Sequence, residues 1–138
     1  MINKILVAYD GSKQSEKAYS LALDMASRYS AEMIVLSVAS PPEPPVALET
    51  EAVLENAAGY YEGRYKTMKE SAESMGVAPR FEVRSGHPAE QIVSFADQEG
   101  IDAIVMGHRG ESFIQRWLLG SVAKRVLSYA SCTVIVVR

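Results

Sequence analysis

The sequence has 138 residues and a formal net charge of −3, with a pI near 5.4, so it offers no basic field with which to hold a nucleic-acid backbone. Hydrophobic residues make up 48% and charged residues 22%, and the mean hydropathy is −0.01, ordinary globular values that argue against a disordered or membrane-embedded chain. One cysteine, Cys132, excludes an intrachain disulfide and gives no support to an oxidising compartment.

Ile5 to Tyr9 is a short apolar run ended by Asp10-Gly11-Ser12, the pattern of a strand buried on both faces. It is too short for the core of a signal peptide, so the start of the chain is expected to belong to the fold and the protein to be cytoplasmic. From Ser15 to Ser30, Ala18, Leu21, Ala22, Met25, Ala26 and Tyr29 recur at spacings of three and four, which predicts an amphipathic helix with Ser12 or Ser15 as N-cap. Met33 to Ala39 reads as a second strand. Pro41-Pro42-Glu43-Pro44-Pro45 then reads as a stiff, extended connector.

Residues 48 to 75 favour helix, with Glu49, Glu51 and Glu55 early and Lys66 and Lys69 late, as the helix dipole prefers; Gly59 and Gly63 weaken its middle. Arg80 to Arg84 alternates as a strand. Gly86-His87-Pro88 leads into a third helix, with Pro88 in its first turn and Gly100 at its end. Ile101 to Met106 is a fourth apolar strand. The stretch from Gly107 to Leu118 is too long for a minimal connector. A helix from Gly120 to Tyr129 and an apolar strand from Thr133 to Val137 finish the chain. Strict alternation of strand and helix predicts a doubly wound parallel sheet of five strands in one domain, residues 1–138. Ligands of such sheets bind beyond the carboxyl ends of the strands, where the order reverses.

Two constellations carry the chemistry. Gly107, Gly110 and Gly120-Ser121 surround one loop that opens a helix. Glycine permits positive φ and a close ligand, and a helix start offers N–H groups and partial positive charge to an anion. Plain turn and capping roles are the competing explanation. Asp10-Gly11-Ser12, after strand one, puts a carboxylate within reach of the same crevice, although Asp10 and Ser12 could equally serve a turn and a helix start.

Val-Ala-Tyr-Asp-Gly-Ser at 7–12, Gly86-His87-Pro88, Asp102 through Gly107, the glycine constellation and the Cys132–Arg138 segment together resemble the universal stress protein family over nearly the whole length, with the glycine spacing of its ATP-binding branch. The resemblance implies strand order 3-2-1-4-5 and a homodimer through the last strand. It also implies that Gly107, Arg109, Gly110, Gly120 and Ser121 hold phosphates and that Asp10 lies near ribose and metal. Val38 would offer backbone groups to adenine, and Ala8, Met106 and Val122 would line the pocket.

His108 stands where the family more often has a small hydroxyl residue, and as a lone loop histidine it is expected to point to solvent. No protein metal site is expected from His87 and His108. Arg116, Lys124 and Arg125 add positive charge around the loop, and Trp117 reads as a packing anchor. The leading function is an ATP-binding regulatory module of a stress response, holding ATP, ADP or AMP, with magnesium accompanying the nucleotide and a protein partner that the sequence leaves unknown. No Gly-Lys-Ser/Thr loop, catalytic triad or kinase signature is present, and no catalytic residue is assigned. The alternatives are a slow magnesium-dependent ATPase or phosphotransferase and a site for a flavin nucleotide or cyclic AMP. Neither nucleic acid nor membrane is expected as a partner.

Overall fold

The computed structural model describes residues 1–40, 47–110 and 119–138, with the side chains of 47–50, 53 and 54 outside the description. The Pro41–Pro45 run and the loop residues Arg116, Trp117 and Leu118 lie outside it too. In chain order the elements are β1 (Lys4–Ala8), α1 (Lys13–Tyr29), β2 (Glu32–Ala39), α2 (Ala47–Glu73), β3 (Arg80–Ser85), α3 (Pro88–Glu99), β4 (Ala103–Gly107), α4 (Ser121–Tyr129) and β5 (Thr133–Val137). The five strands are parallel and ordered β3-β2-β1-β4-β5. The fold is thus the doubly wound α/β domain that the alternation implies, in the order that the resemblance implies.

Each face of the sheet carries its own core. Ile5, Val7, Met33, Val35 and Val105 meet Ala18, Ala22, Leu23 and Ala26 of α1 and Tyr61, Met68 and Ala72 of α2. Leu6, Ile34, Leu36, Ile104 and Met106 meet Ile92, Phe95 and Ala96 of α3 and Ala123 and Val126 of α4. Neighbours in a strand point to opposite faces, so both alternating sets must be apolar, which is why β1, β2 and β4 read as unbroken hydrophobic runs. Full burial of each Ile, Leu or Val contributes about 1.5–3 kcal/mol.

The helix ends follow from single residues. Ser12 caps α1, its Oγ accepting from the Ser15 N–H at 3.1 Å. Pro88 occupies the first turn of α3, and Gly100 ends that helix in the left-handed conformation at φ 66°. Strand β4 begins at Ala103 rather than Ile101: the Ile101 N–H closes α3 by donating to the Ala96 carbonyl at 3.0 Å, and Asp102 Oδ2 accepts the N–H groups of Asn3 at 2.7 Å and Lys4 at 2.9 Å. Those two amides hold the Asp102 carboxyl below its ordinary pKa. Among the described residues no helix is long and apolar enough to cross a membrane.

Candidate functional site

The strand order reverses at β1, which lies between β2 and β4. Beyond the carboxyl ends of these strands a cleft of about 330 Å³ opens, at the position where doubly wound sheets take ligands. All ten candidate residues line it: Ala8, Asp10, Val38, Met106, Gly107, Arg109, Gly110, Gly120, Ser121 and Val122. Tyr9, Ser12, Ser15, Leu36, Ser40, Pro88, Ile92 and Ala123 line it as well. Of these eight, Tyr9 and Ser12 flank Asp10 and Pro88 belongs to the Gly86-His87-Pro88 turn, whereas Leu36, Ser40, Ile92 and Ala123 carry no local signal in the sequence.

Asp10 is launched from a well-held residue. Tyr9 N–H donates to the Leu36 carbonyl at 2.9 Å, and its own carbonyl accepts from Ser37 Oγ at 2.7 Å. Ser37 is fully buried and also receives the Tyr65 hydroxyl. The Tyr9 phenol donates to Glu16 Oε1; burial, and then the neighbouring Glu16 carboxylate, push its pKa up to about 12. From this base the Asp10 carboxylate folds back, Oδ1 accepting the Ser12 N–H at 3.0 Å. The turn role weighed for Asp10 is therefore real, and it leaves Oδ2 facing the glycine loop.

The three loop glycines act differently from the expectation. None adopts positive φ; what matters is the missing Cβ. A Cβ on Gly107 would lie 2.6 Å from Gln14 Cβ and 3.0 Å from the Gln14 carbonyl carbon, so this glycine lets α1 sit against the end of β4. On Gly110 it would lie 2.5 Å from Asp10 Oδ2, and on Gly120 3.0 Å from Arg109 Cα and 3.2 Å from the His108 oxygen. Gly110 thus brings the loop against the carboxylate, and Gly120 brings the start of α4 against the loop.

His108 corrects the expectation of a solvent-facing side chain. It is only 8% exposed, and its buried Nδ1 has no hydrogen-bond partner among the described residues. The backbone explains the burial. His108 N–H extends the β4–β5 ladder by donating to the Val137 carbonyl at 2.8 Å, while its carbonyl accepts the Gly120 N–H at 2.6 Å. Both ends of the loop are therefore pinned at this residue. His108 does not line the cleft.

At the far wall, α4 begins at Ser121 with Gly120 as its cap, and among the described residues no side chain caps its first turn. Lys124 makes the first intrahelical bond, to the Gly120 carbonyl at 3.0 Å. The N–H groups ahead of it belong to Ser121, Val122 and Ala123, which line the cleft. Helix starts of this kind carry partial positive charge.

The pattern that defines the universal stress protein family matches residues 1–138. The chain belongs to the universal stress protein family. A universal stress protein of Methanocaldococcus jannaschii is 37% identical over 142 residues, covering all of this chain and 83% of that protein. Among solved structures, a universal stress protein from Lactobacillus plantarum superimposes with a TM-score of 0.91 at 25% identity, covering 99% of this chain and 98% of that one. A universal stress protein solved in complex with cAMP superimposes with a TM-score of 0.75 at 25% identity, covering 99% and 97%.

Proposed function

We propose that residues 1–138 form a nucleotide-binding domain that takes an adenine nucleotide, ATP foremost, in the cleft between β1, β4 and α4, and that the bound state is read by a partner as part of a stress response. One observation carries the reading: a carboxylate, loop glycines and the start of α4, which no described side chain caps, share a single cleft at the reversal of strand order. Phosphate suits that wall, because backbone N–H groups and the helix dipole favour an anion. Leu36, Val38, Met106, Pro88 and Ile92 give the same cleft apolar surface suited to a base.

Asp10 supplies one carboxylate, and the described residues contain no group of three His, Cys, Asp or Glu able to hold a metal. Magnesium would therefore arrive with the nucleotide, most of its ligands being phosphate oxygens and water. The alternative is cyclic AMP, favoured by the relative solved in complex with it. Self-association through β5 belongs to the proposal, since that strand ends the sheet and leaves Val134, Ile135, Val136 and Val137 half-buried.

Calorimetric titration with ATP, AMP and cAMP separates these readings. ATP should bind most tightly. Gly110→Val, whose Cβ would displace the Asp10 carboxylate, should weaken it by about tenfold or more, or about 1.4 kcal/mol. Tighter cAMP binding would replace ATP as the ligand, and no binding of any of the three would remove the proposal.

A further inference from the structure

The Asp10–Ser12 turn is covered from outside by α2, some fifty residues away in sequence. Gly11, at φ +85°, is the one residue of the turn in the left-handed region. The position of a Cβ on it lies 3.0 Å from the Tyr60 hydroxyl, 3.6 Å from Tyr60 Cε1 and 3.7 Å from Arg64 Cζ. Arg64 lies over the Tyr60 ring, 4.7 Å from its centroid. The same guanidinium reaches the Tyr9 hydroxyl at 3.4 Å and Glu16 Oε1 at 3.7 Å. Tyr9 and Glu16 are themselves bonded. One cation thus joins the residue before the turn, the first turn of α1 after it, and the ring that lies on its middle. Tyr60 is 49% exposed, and a surface ion pair by itself contributes little to stability.

We propose that Tyr60 and Arg64 are positioning residues for Asp10: packed on Gly11, they hold the Asp10–Ser12 turn in the conformation that turns the carboxylate across the cleft to Gly110. The inference rests on the nucleotide reading only for what Asp10 is positioned to meet; the brace itself is a property of the free protein. A flexible turn would let Asp10 trade its bond to the Ser12 N–H for water, and every ligand contact would then have to restore the order. Bracing removes that ordering cost before binding.

The test has a ligand-free arm and a ligand arm. In the nucleotide-free protein, Tyr60→Ala and Arg64→Ala should speed hydrogen exchange of the Ser12 amide by about tenfold, while Tyr60→Phe, which keeps the ring on Gly11, stays near wild type. Met68→Ala, which removes a buried side chain from the same helix, controls for general loosening. Equal acceleration in Met68→Ala, or none in Tyr60→Ala and Arg64→Ala, would overturn the brace. In the second arm, Tyr60→Ala should weaken ATP binding, and Tyr60→Ala combined with Asp10→Ala should lose no more than Asp10→Ala alone. Additive losses would show that α2 does not act through Asp10 and would overturn the positioning role. Absence of nucleotide binding in the wild type would remove the reading of the cleft, and the exchange arm would still decide the brace.

Discussion

Adding one methyl group at Gly107 and at Gly59 should have opposite signs. In Gly107→Ala the new Cβ would stand 2.6 Å from Gln14 Cβ and 3.0 Å from the Gln14 carbonyl carbon. Neither atom is the free end of a flexible side chain, so relief requires α1 to move off β4, where Val105 and Ala22 are fully buried. Overpacking of this kind costs about 1–3 kcal/mol, and backbone involvement puts Gly107→Ala near the top, at about 3 kcal/mol. For a chain of this size that corresponds to a fall in Tm of roughly 9 °C. Gly59 sits inside α2 with no described atom within 4 Å of its Cβ position, so Gly59→Ala should stabilise the protein by about 0.5–1 kcal/mol through helix propensity alone. Urea unfolding of the two variants beside wild type measures both. A Gly107→Ala midpoint indistinguishable from wild type would refute the argument that this glycine exists for helix–strand packing, and destabilisation by Gly59→Ala would refute the open surface around α2.

The Tyr9 phenol, held up to about 12 against an ordinary value of 10.0, stays neutral in the fold where the unfolded chain would ionise. Its contribution is complete below pH 10 and should be lost progressively as pH rises toward 12, to the extent of about 2–3 kcal/mol; urea midpoints that stay flat through that window would contradict it. Asp102 works with the opposite sign. Its lowered pKa means that its contribution is present above the ordinary carboxylate range and is lost as acid protonates it, so Asp102→Asn should flatten the acid limb of the stability profile, and an unchanged limb would assign acid sensitivity elsewhere. On the proposed dimer through β5, the wild type should run at two copies by light scattering and Ile135→Lys at one while the circular dichroism spectrum persists; a variant that stays dimeric would move the interface off β5, and a monomeric wild type would remove the dimer.

Much of the fold is legible because its determinants are local. The runs Ile5–Tyr9, Met33–Ala39 and Ile101–Met106 announce strands buried on both faces, and Ser12, Pro88 and Gly100 mark helix ends through their own backbone chemistry. Strand order is another matter, since periodicity leaves it open and it came with the family resemblance. The cleft was readable for a related reason: residues that follow β1 and β4 must meet if those strands adjoin. The burial of His108 is not legible in the sequence, because the residue is held by two backbone bonds, to Val137 and Gly120, that no local pattern encodes. The same holds for Tyr60 and Arg64, whose contact with Gly11 arises only once α2 has packed across the sheet. The glycine spacing marks a loop that lines the cleft, and Gly107 and Gly120 are needed there by packing before any ligand arrives.

The most direct test of the central claim is mass spectrometry of nucleotide released by heat from the purified protein, with Gly110→Val prepared alongside. A stoichiometric adenine nucleotide from the wild type, absent from the variant, is the result expected of this cleft; a wild-type protein that releases none and takes up none from solution would leave the fold intact and contradict the function proposed for it.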